Sequence, residues 1–229
     1  MVKILVYTNF LHFCCLQLCL KFIIMPTYQT EQLIQQLEEQ TKTFLQKAIS
    51  EWQLSPTSKL LQQPAENKWS AAQCLEHLNS YGHYYLPAIE KAIETAKQYN
   101  WTGKAQFTAG RLGNYFTSMM LPGTDGKKMK KMKAPKNHTP KTDLDADKVV
   151  SEFITQQEKL LQLLEKARST DLEKARVPIS IAKFIRLKLG DTFMFLIAHN
   201  YRHVLQAERA MEAPAIKREE RTAMKSFEV

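Results

Sequence analysis

The sequence predicts an all-α protein, a four-helix bundle with a long crossover between its second and third helices. Only 7 glycines and 9 prolines interrupt the 229 residues. Leu, Gln, Glu, Lys and Ala, which favour helices, fall in long stretches. Apolar residues recur near the helical period in four of these stretches, and no segment reads as a convincing sheet. The length suits one domain better than two.

The first helix is predicted over about residues 30–52, where Leu33, Leu37, Phe44 and Trp52 recur near the helical period. The other face of this segment is Gln, Glu and Lys, which favour solvent. The stretch therefore predicts an amphipathic helix with one face against a core.

The second helix is predicted to begin after Ser70 and to run to about Gln98. Ser70 and Gln73 form a Ser-x-x-Gln capping box, in which each residue satisfies a free backbone N–H of the other. Residues 100–141 follow as a crossover rich in Gly and Pro, with a short helix over about residues 112–120.

The third helix is predicted over about residues 145–168, with Val149, Phe153 and Leu160 in its apolar stripe. The connection after it, residues 169–190, contains an apolar stretch that we expect to lie against the bundle.

The last helix is predicted to start with Asp191 as its N-cap and to fade near Pro214. These boundaries divide the chain into an apolar extension over residues 1–25, a helical domain over residues 26–213 and a charged tail over residues 214–229.

The apolar extension has two interpretations. Residues 4–20 are largely apolar, but the run is short for a membrane helix and polar residues interrupt it. No small residues mark a secretory cleavage site, and Met25 directly precedes the helical domain. We expect a start assigned too early and a cytoplasmic protein. A membrane anchor through residues 4–20 is the alternative, so a membrane partner is disfavoured but stays open.

The net charge of +9 is local. Residues 127–141 carry seven lysines and no acid, and residues 1–25 add two more lysines without an acid, which together account for the whole excess. A bundle that is otherwise neutral lacks the broad basic face that phosphate backbones require, so we expect no nucleic-acid partner. The lysine run is most simply a solvated loop.

The cysteines exclude a disulfide framework. Cys14, Cys15 and Cys19 lie in the extension, which leaves Cys74 alone in the helical domain. Unpaired thiols fit a reducing compartment.

Two histidines of the last predicted helix have metal-ligand spacing. His199 and His203 are four residues apart, so their imidazoles share one helical face and suit a single ion. Asn200 stands where a zinc protease has its glutamate, which disfavours that mechanism. Asn200 and Gln206 are offered as groups that could orient a ligand ring.

A third ligand is needed, and His77 of the second helix is the candidate. It lies between apolar neighbours, where an unpartnered imidazole is costly, so a hydrogen-bonded core histidine is an equally good interpretation. His83 is rotated well away from the face of His77, and the pattern favours a partly exposed or structural histidine.

Five segments of the chain, and the order in which they occur, resemble the DinB-like superfamily. They are Trp69-Ser70, Cys74-Leu75-Glu76-His77-Leu78, Met132-Lys133-Ala134-Pro135-Lys136 before Pro140, Leu189-Gly190-Asp191, and His199-Asn200-Tyr201-Arg202-His203-Val204-Leu205-Gln206. The resemblance covers about residues 27–211. It implies a four-helix bundle in which His77, His199 and His203 bind one divalent metal ion, which would be zinc, nickel or a similar ion.

The resemblance also implies a function, since the superfamily includes metal-dependent hydrolases and enzymes that transfer low-molecular-weight thiols onto electrophiles. An open three-histidine site predicts an enzyme of one of these kinds, with a small-molecule substrate. No catalytic residue beyond the ligands is indicated. Bundles of this kind also often form homodimers.

Two alternatives to an enzyme stay open. One is a non-catalytic metal-binding bundle with a structural or stress-associated role, which coordination by Cys74 would favour because it would close the site. The other is a membrane-tethered interaction module.

Overall fold

The computed structural model describes residues 25–121 and 132–214 and is mostly helical, as predicted. The predictions for the extension before Met25, for lysines 127–131 and for the tail from residue 215 lie outside the described residues. In the described ranges the α-helices are α1 Thr30–Lys47, α2 Thr57–Leu61, α3 Ala71–Gln98, α4 Arg111–Met120, α5 Ala146–Ala167 and α6 Leu189–Glu212. The strands are β1 Thr27–Gln29, β2 Gln106–Thr108, β3 Arg176–Ile179 and β4 Ala182–Lys188.

Four long helices enclose the core. Helices α1 and α3 each pack against both α5 and α6. Most residues of the predicted apolar stripes are buried between them, although Ile49, also expected in the stripe of the first helix, is 40% exposed. The rings of Trp52 and Phe153 meet at 5.9 Å between centroids. The first helix continues through Trp52, as predicted, although its last turn, Ala48–Trp52, is a π-helix.

The starts of α3 and α5 follow from their caps. The backbone N–H of Gln73 donates to Ser70 Oγ at 3.2 Å, and the Ser70 N–H donates to Gln73 Oε1 at 3.1 Å, which confirms the capping box. Asp145 caps α5 by accepting from the Lys148 N–H at 3.2 Å. The long crossover between α3 and α5 contains α4, the short helix that was predicted there.

Two small antiparallel sheets were not predicted. Strand β1 pairs with β2, with Tyr28 opposite Phe107, and β3 pairs with β4. Three-residue strands such as β1 and β2 are too short for alternation to show in a sequence. The prediction that the second connection lies against the bundle is only partly right, because the hairpin exposes 64% of Ile181 and 88% of Phe184.

The prediction that Asp191 is the N-cap of the last helix is wrong. Helix α6 begins two residues earlier at Leu189, and Lys188 occupies the cap position without a side-chain hydrogen bond. Both carboxylate oxygens of Asp191 instead accept from the Gly110 N–H, at 3.0 Å each, at the start of α4. Burial raises the pKa of Asp191 to about 6. The residue joins α4 to α6 rather than ending a helix.

Among the helices of residues 25–121 and 132–214, none has the length and apolar character needed to cross a membrane.

The close approach of α4 to α6 depends on glycine. A Cβ at Gly113 would overlap the Asp191 side chain. We expect Gly113→Ala to lower the free energy of unfolding by about 1–3 kcal/mol, although alanine in a helix is ordinarily better than glycine by up to ~1 kcal/mol. Urea unfolding measures the change. Ser118→Ala, on the exposed face of the same helix, is the matched control and should change it by less than ~0.5 kcal/mol. A stabilised Gly113→Ala protein would contradict the contact.

Candidate metal centre

The structure brings together the three histidines predicted from the sequence. His77 is in α3, His199 and His203 are in α6, and the packing of α3 on α6 puts all three rings at one point. The ring centroids are 5.0 Å apart for His77 and His199, 4.6 Å for His77 and His203, and 4.7 Å for His199 and His203. One nitrogen from each ring lies within 4.8 Å of the others, and all three residues are buried.

The arrangement fits a divalent ion. Two imidazole nitrogens bound to one tetrahedral ion at about 2.1 Å are roughly 3.4 Å apart, and Nε2 of His77 is 3.2 Å from Nε2 of His199. His199 Nδ1 is also buried without a hydrogen-bond partner. An ion bound through Nε2 would leave this nitrogen unpaired, so the fit to a metal ion rests on the distance between the Nε2 atoms. Three buried histidines in this geometry could therefore hold a metal ion.

Burial keeps the three rings neutral. Desolvation lowers the pKa of His77 to about 4 and that of His203 to about 3, and it lowers the pKa of His199 well below its ordinary value. The rings of His77 and His203 further lower the pKa of His199, and the ring of His77 lowers that of His203, because each would be a positive charge beside the other. Neutral imidazole is the form that binds a metal ion, so the site is ready to bind at neutral pH without releasing protons from these rings.

Aromatic side chains enclose the cluster. Trp69, just before α3, contacts His77 and His203, with centroids 5.0 and 5.9 Å apart. Tyr81 lies 4.3 Å from His199, and Phe195 stacks on His199 at 5.9 Å. These rings restrict the orientations of the imidazoles and limit the access of water.

The two polar residues of α6 that the sequence offered have different roles. His203 Nδ1 lies 3.1 Å from Gln206 Oε1, an acceptor that places the ring proton on Nδ1 and leaves Nε2 with its lone pair. Asn200 instead donates to Gln157 Oε1 of α5 at 3.1 Å and does not orient a ring of the cluster.

Other candidates lie apart from the cluster. The His83 side chain is 69% exposed and pairs with Glu152, in agreement with the sequence interpretation. Cys74 is fully buried, and burial raises the pKa of its thiol. Within residues 25–121 and 132–214, neither Cys74 nor any carboxylate joins the three histidines.

His138 is the residue near the cluster that the sequence analysis missed, since it was placed in the lysine-rich loop. Its carbonyl oxygen is 2.6 Å from His77 Nδ1, and its buried ring lies 4.1 Å from that of Tyr81. The contact joins residues 61 positions apart, which no local spacing reveals. The one signal in the sequence near His138 is the segment Met132–Lys136, which carries part of the family resemblance.

Comparison with known proteins adds one finding. A family model described as the DinB superfamily matches residues 36–207, a span that contains all three clustered histidines and most of the described helices. No curated protein and no solved structure matches the chain.

The buried histidines predict how the metal-free protein responds to acid. They stay neutral in the fold but protonate near pH 6.5 once the chain unfolds. Above pH 6.5 the three histidines are therefore neutral in both states and the free energy of unfolding does not depend on their titration. As the pH falls from 6.5 toward about 4, the free energy of unfolding decreases by about 1.4 kcal/mol per pH unit for each histidine. Urea unfolding in the presence of a chelator at pH 7.5, 6 and 5 measures this loss. His203→Gln should lessen the slope, and equal stability at all three pH values would contradict the burial.

Proposed function

The chain belongs to the DinB superfamily, and we propose that it is a metal-dependent enzyme that binds one zinc or nickel ion through His77, His199 and His203. The observation that supports this best is the convergence of three buried, neutral imidazoles from two different helices on one point.

The donor set supports an enzyme over a structural site. Structural zinc sites usually close all four coordination positions with protein ligands, whereas catalytic sites leave one for water or substrate. In the part of the chain that the structure describes, the cluster has three ligands, and the buried thiol of Cys74 is not among them. A three-ligand site leaves one position for a small molecule.

When bound, a divalent ion supplies Lewis acidity, which lowers the pKa of a coordinated water or thiol to near or below neutrality. The residues of the chain supply the rest. Gln206 and the carbonyl of His138 hold the rings of His203 and His77, and Trp69, Tyr81 and Phe195 keep bulk water away from the reacting groups.

The surroundings favour thiol transfer as the first reaction to test. A hydrolase ordinarily uses a general base to orient and deprotonate its water, and in the described ranges no Asp or Glu joins the cluster. A thiol has a lower pKa than water and needs no such base beside a metal ion. The S–H bond of a low-molecular-weight thiol and one bond of the electrophilic carbon would break as the S–C bond forms. The atom released from that carbon would keep the electron pair and take the proton, so neither oxidant nor reductant is required. Hydrolysis is the second candidate.

Metal stoichiometry tests the site. We expect the purified protein to bind about one equivalent of Zn²⁺ or Ni²⁺ per chain and His199→Ala to lower the affinity more than hundredfold, since one of three ligands is lost. Equilibrium dialysis with elemental analysis measures both. His83→Ala, which removes an exposed imidazole from α3, is the matched control and should bind like the wild type. Full metal retention by His199→Ala would rule out the proposed site.

Activity assays separate the reactions. The metal-loaded protein should conjugate a small thiol to an electrophile faster than the metal-free protein or His199→Ala, whereas ester and amide substrates should respond less. Turnover of esters or amides alone would indicate the hydrolase. Stoichiometric metal binding without turnover in either assay would favour the non-catalytic metal-binding bundle.

A further inference from the structure

A loop from outside the three-histidine cluster holds one of its members in place. We propose that His138 is a positioning residue, which fixes the tautomer and the orientation of His77 for metal binding. The inference rests on the metal centre proposed above, and the contacts that carry it are those of residues 132–141, here named the docking loop.

The backbone of His138 determines which nitrogen of His77 carries a proton. Its carbonyl oxygen lies 2.6 Å from His77 Nδ1. A carbonyl oxygen only accepts hydrogen bonds, so Nδ1 must be the donor, and a neutral imidazole has a single N–H. The lone pair of His77 is therefore on Nε2, which faces His199 in the cluster. This is the tautomer that binds an ion through Nε2.

The side chain of His138 anchors that carbonyl to the same turn of α3. Ser80 Oγ donates its only proton to the carbonyl oxygen of His77 at 2.8 Å. His138 Nδ1, 2.9 Å from Ser80 Oγ, must then be the donor in that contact. One residue thus bonds to the ring of His77 through its carbonyl and, through Ser80, to the carbonyl of His77. The two contacts together fix the ring and the loop relative to each other.

The docking loop lies along one face of α3. Gln73 Nε2 donates to the Lys141 carbonyl at 3.2 Å, and Gln73, His77 and Ser80 are spaced i, i+4 and i+7. His138 N–H donates to the Pro135 carbonyl at 2.9 Å, which closes the short turn of the loop. The direction of the His138 carbonyl is thus set by how this loop docks on α3.

The buried ring of His138 is not explained by packing alone. It is only 5% exposed and contacts Tyr81, yet its Nε2 has no hydrogen-bond partner. An apolar ring would fill the same space without an unsatisfied nitrogen. Histidine at this position can donate a hydrogen bond from Nδ1 to Ser80, whereas phenylalanine cannot.

Two measurements on the full chain test the role. In the metal-free protein labelled with ¹⁵N-histidine, long-range ¹H–¹⁵N spectra should show His77 as the Nδ1–H tautomer, and His138→Ala should convert it to a mixture of tautomers. The affinity for Zn²⁺, measured by competition with a chromophoric chelator, should fall about 10- to 100-fold in His138→Ala. His138→Asn, whose amide N–H can donate to Ser80, should recover most of the affinity.

The variants make each outcome decisive. His83→Ala is the matched control on α3 and should change neither the tautomer nor the affinity. If His138→Ala does not fold, Ser80→Ala breaks the same contact without emptying the ring's place and should show both effects. If the wild-type protein binds no Zn²⁺, the proposed metal centre is wrong. The spectra of the metal-free protein would still test the contact between the His138 carbonyl and His77 Nδ1. A folded His138→Ala protein with an unchanged His77 tautomer and wild-type Zn²⁺ affinity would overturn the inference.

Discussion

The packing of α3 against α6 buries three imidazoles at one point, and this is the constraint on which the site depends. Each ring is polar, and none has a carboxylate beside it in the residues that the structure describes. Desolvation keeps the rings neutral, so their nitrogen lone pairs must be used by hydrogen bonds or by an ion. The His138 carbonyl uses Nδ1 of His77 and Gln206 uses Nδ1 of His203, which leaves the Nε2 lone pairs of these two rings for such a partner. Three buried rings arranged in this way could hold a metal ion.

The segments between the long helices dock on the bundle through polar contacts over long sequence distances. Asp191 accepts from Gly110 and holds α4 against α6. Residues 132–141 place the His138 carbonyl against the ring of His77. Buried hydrogen bonds of this kind are directional, and leaving one partner unpaired costs about 1–3 kcal/mol. They give the crossover one position on the bundle, which apolar packing alone would specify less sharply.

Much of the fold was predictable because the sequence signals of a helix lie within a few residues of one another. The apolar stripe around Phe153 and the capping box at Ser70 depend on residues within a few positions of one another. The pairing of His199 with His203 is equally local, since four residues make just over one helical turn. The role of Asp191 was misassigned, because an aspartate after glycine is a good helix cap by local rules, and only the approach of Gly110 gives it a different partner.

By itself, the sequence determined where the long helices lie, which faces they bury, and that two imidazoles share one face of the last helix. Only the tertiary structure decided that His77 joins them and that His138, 61 residues away along the chain, bonds to its ring. The physical reason is the sequence separation of the contacts involved. Helix periodicity and capping arise from contacts within one or two turns, whereas ring convergence depends on how helices pack and where a loop docks, which are properties of the whole core.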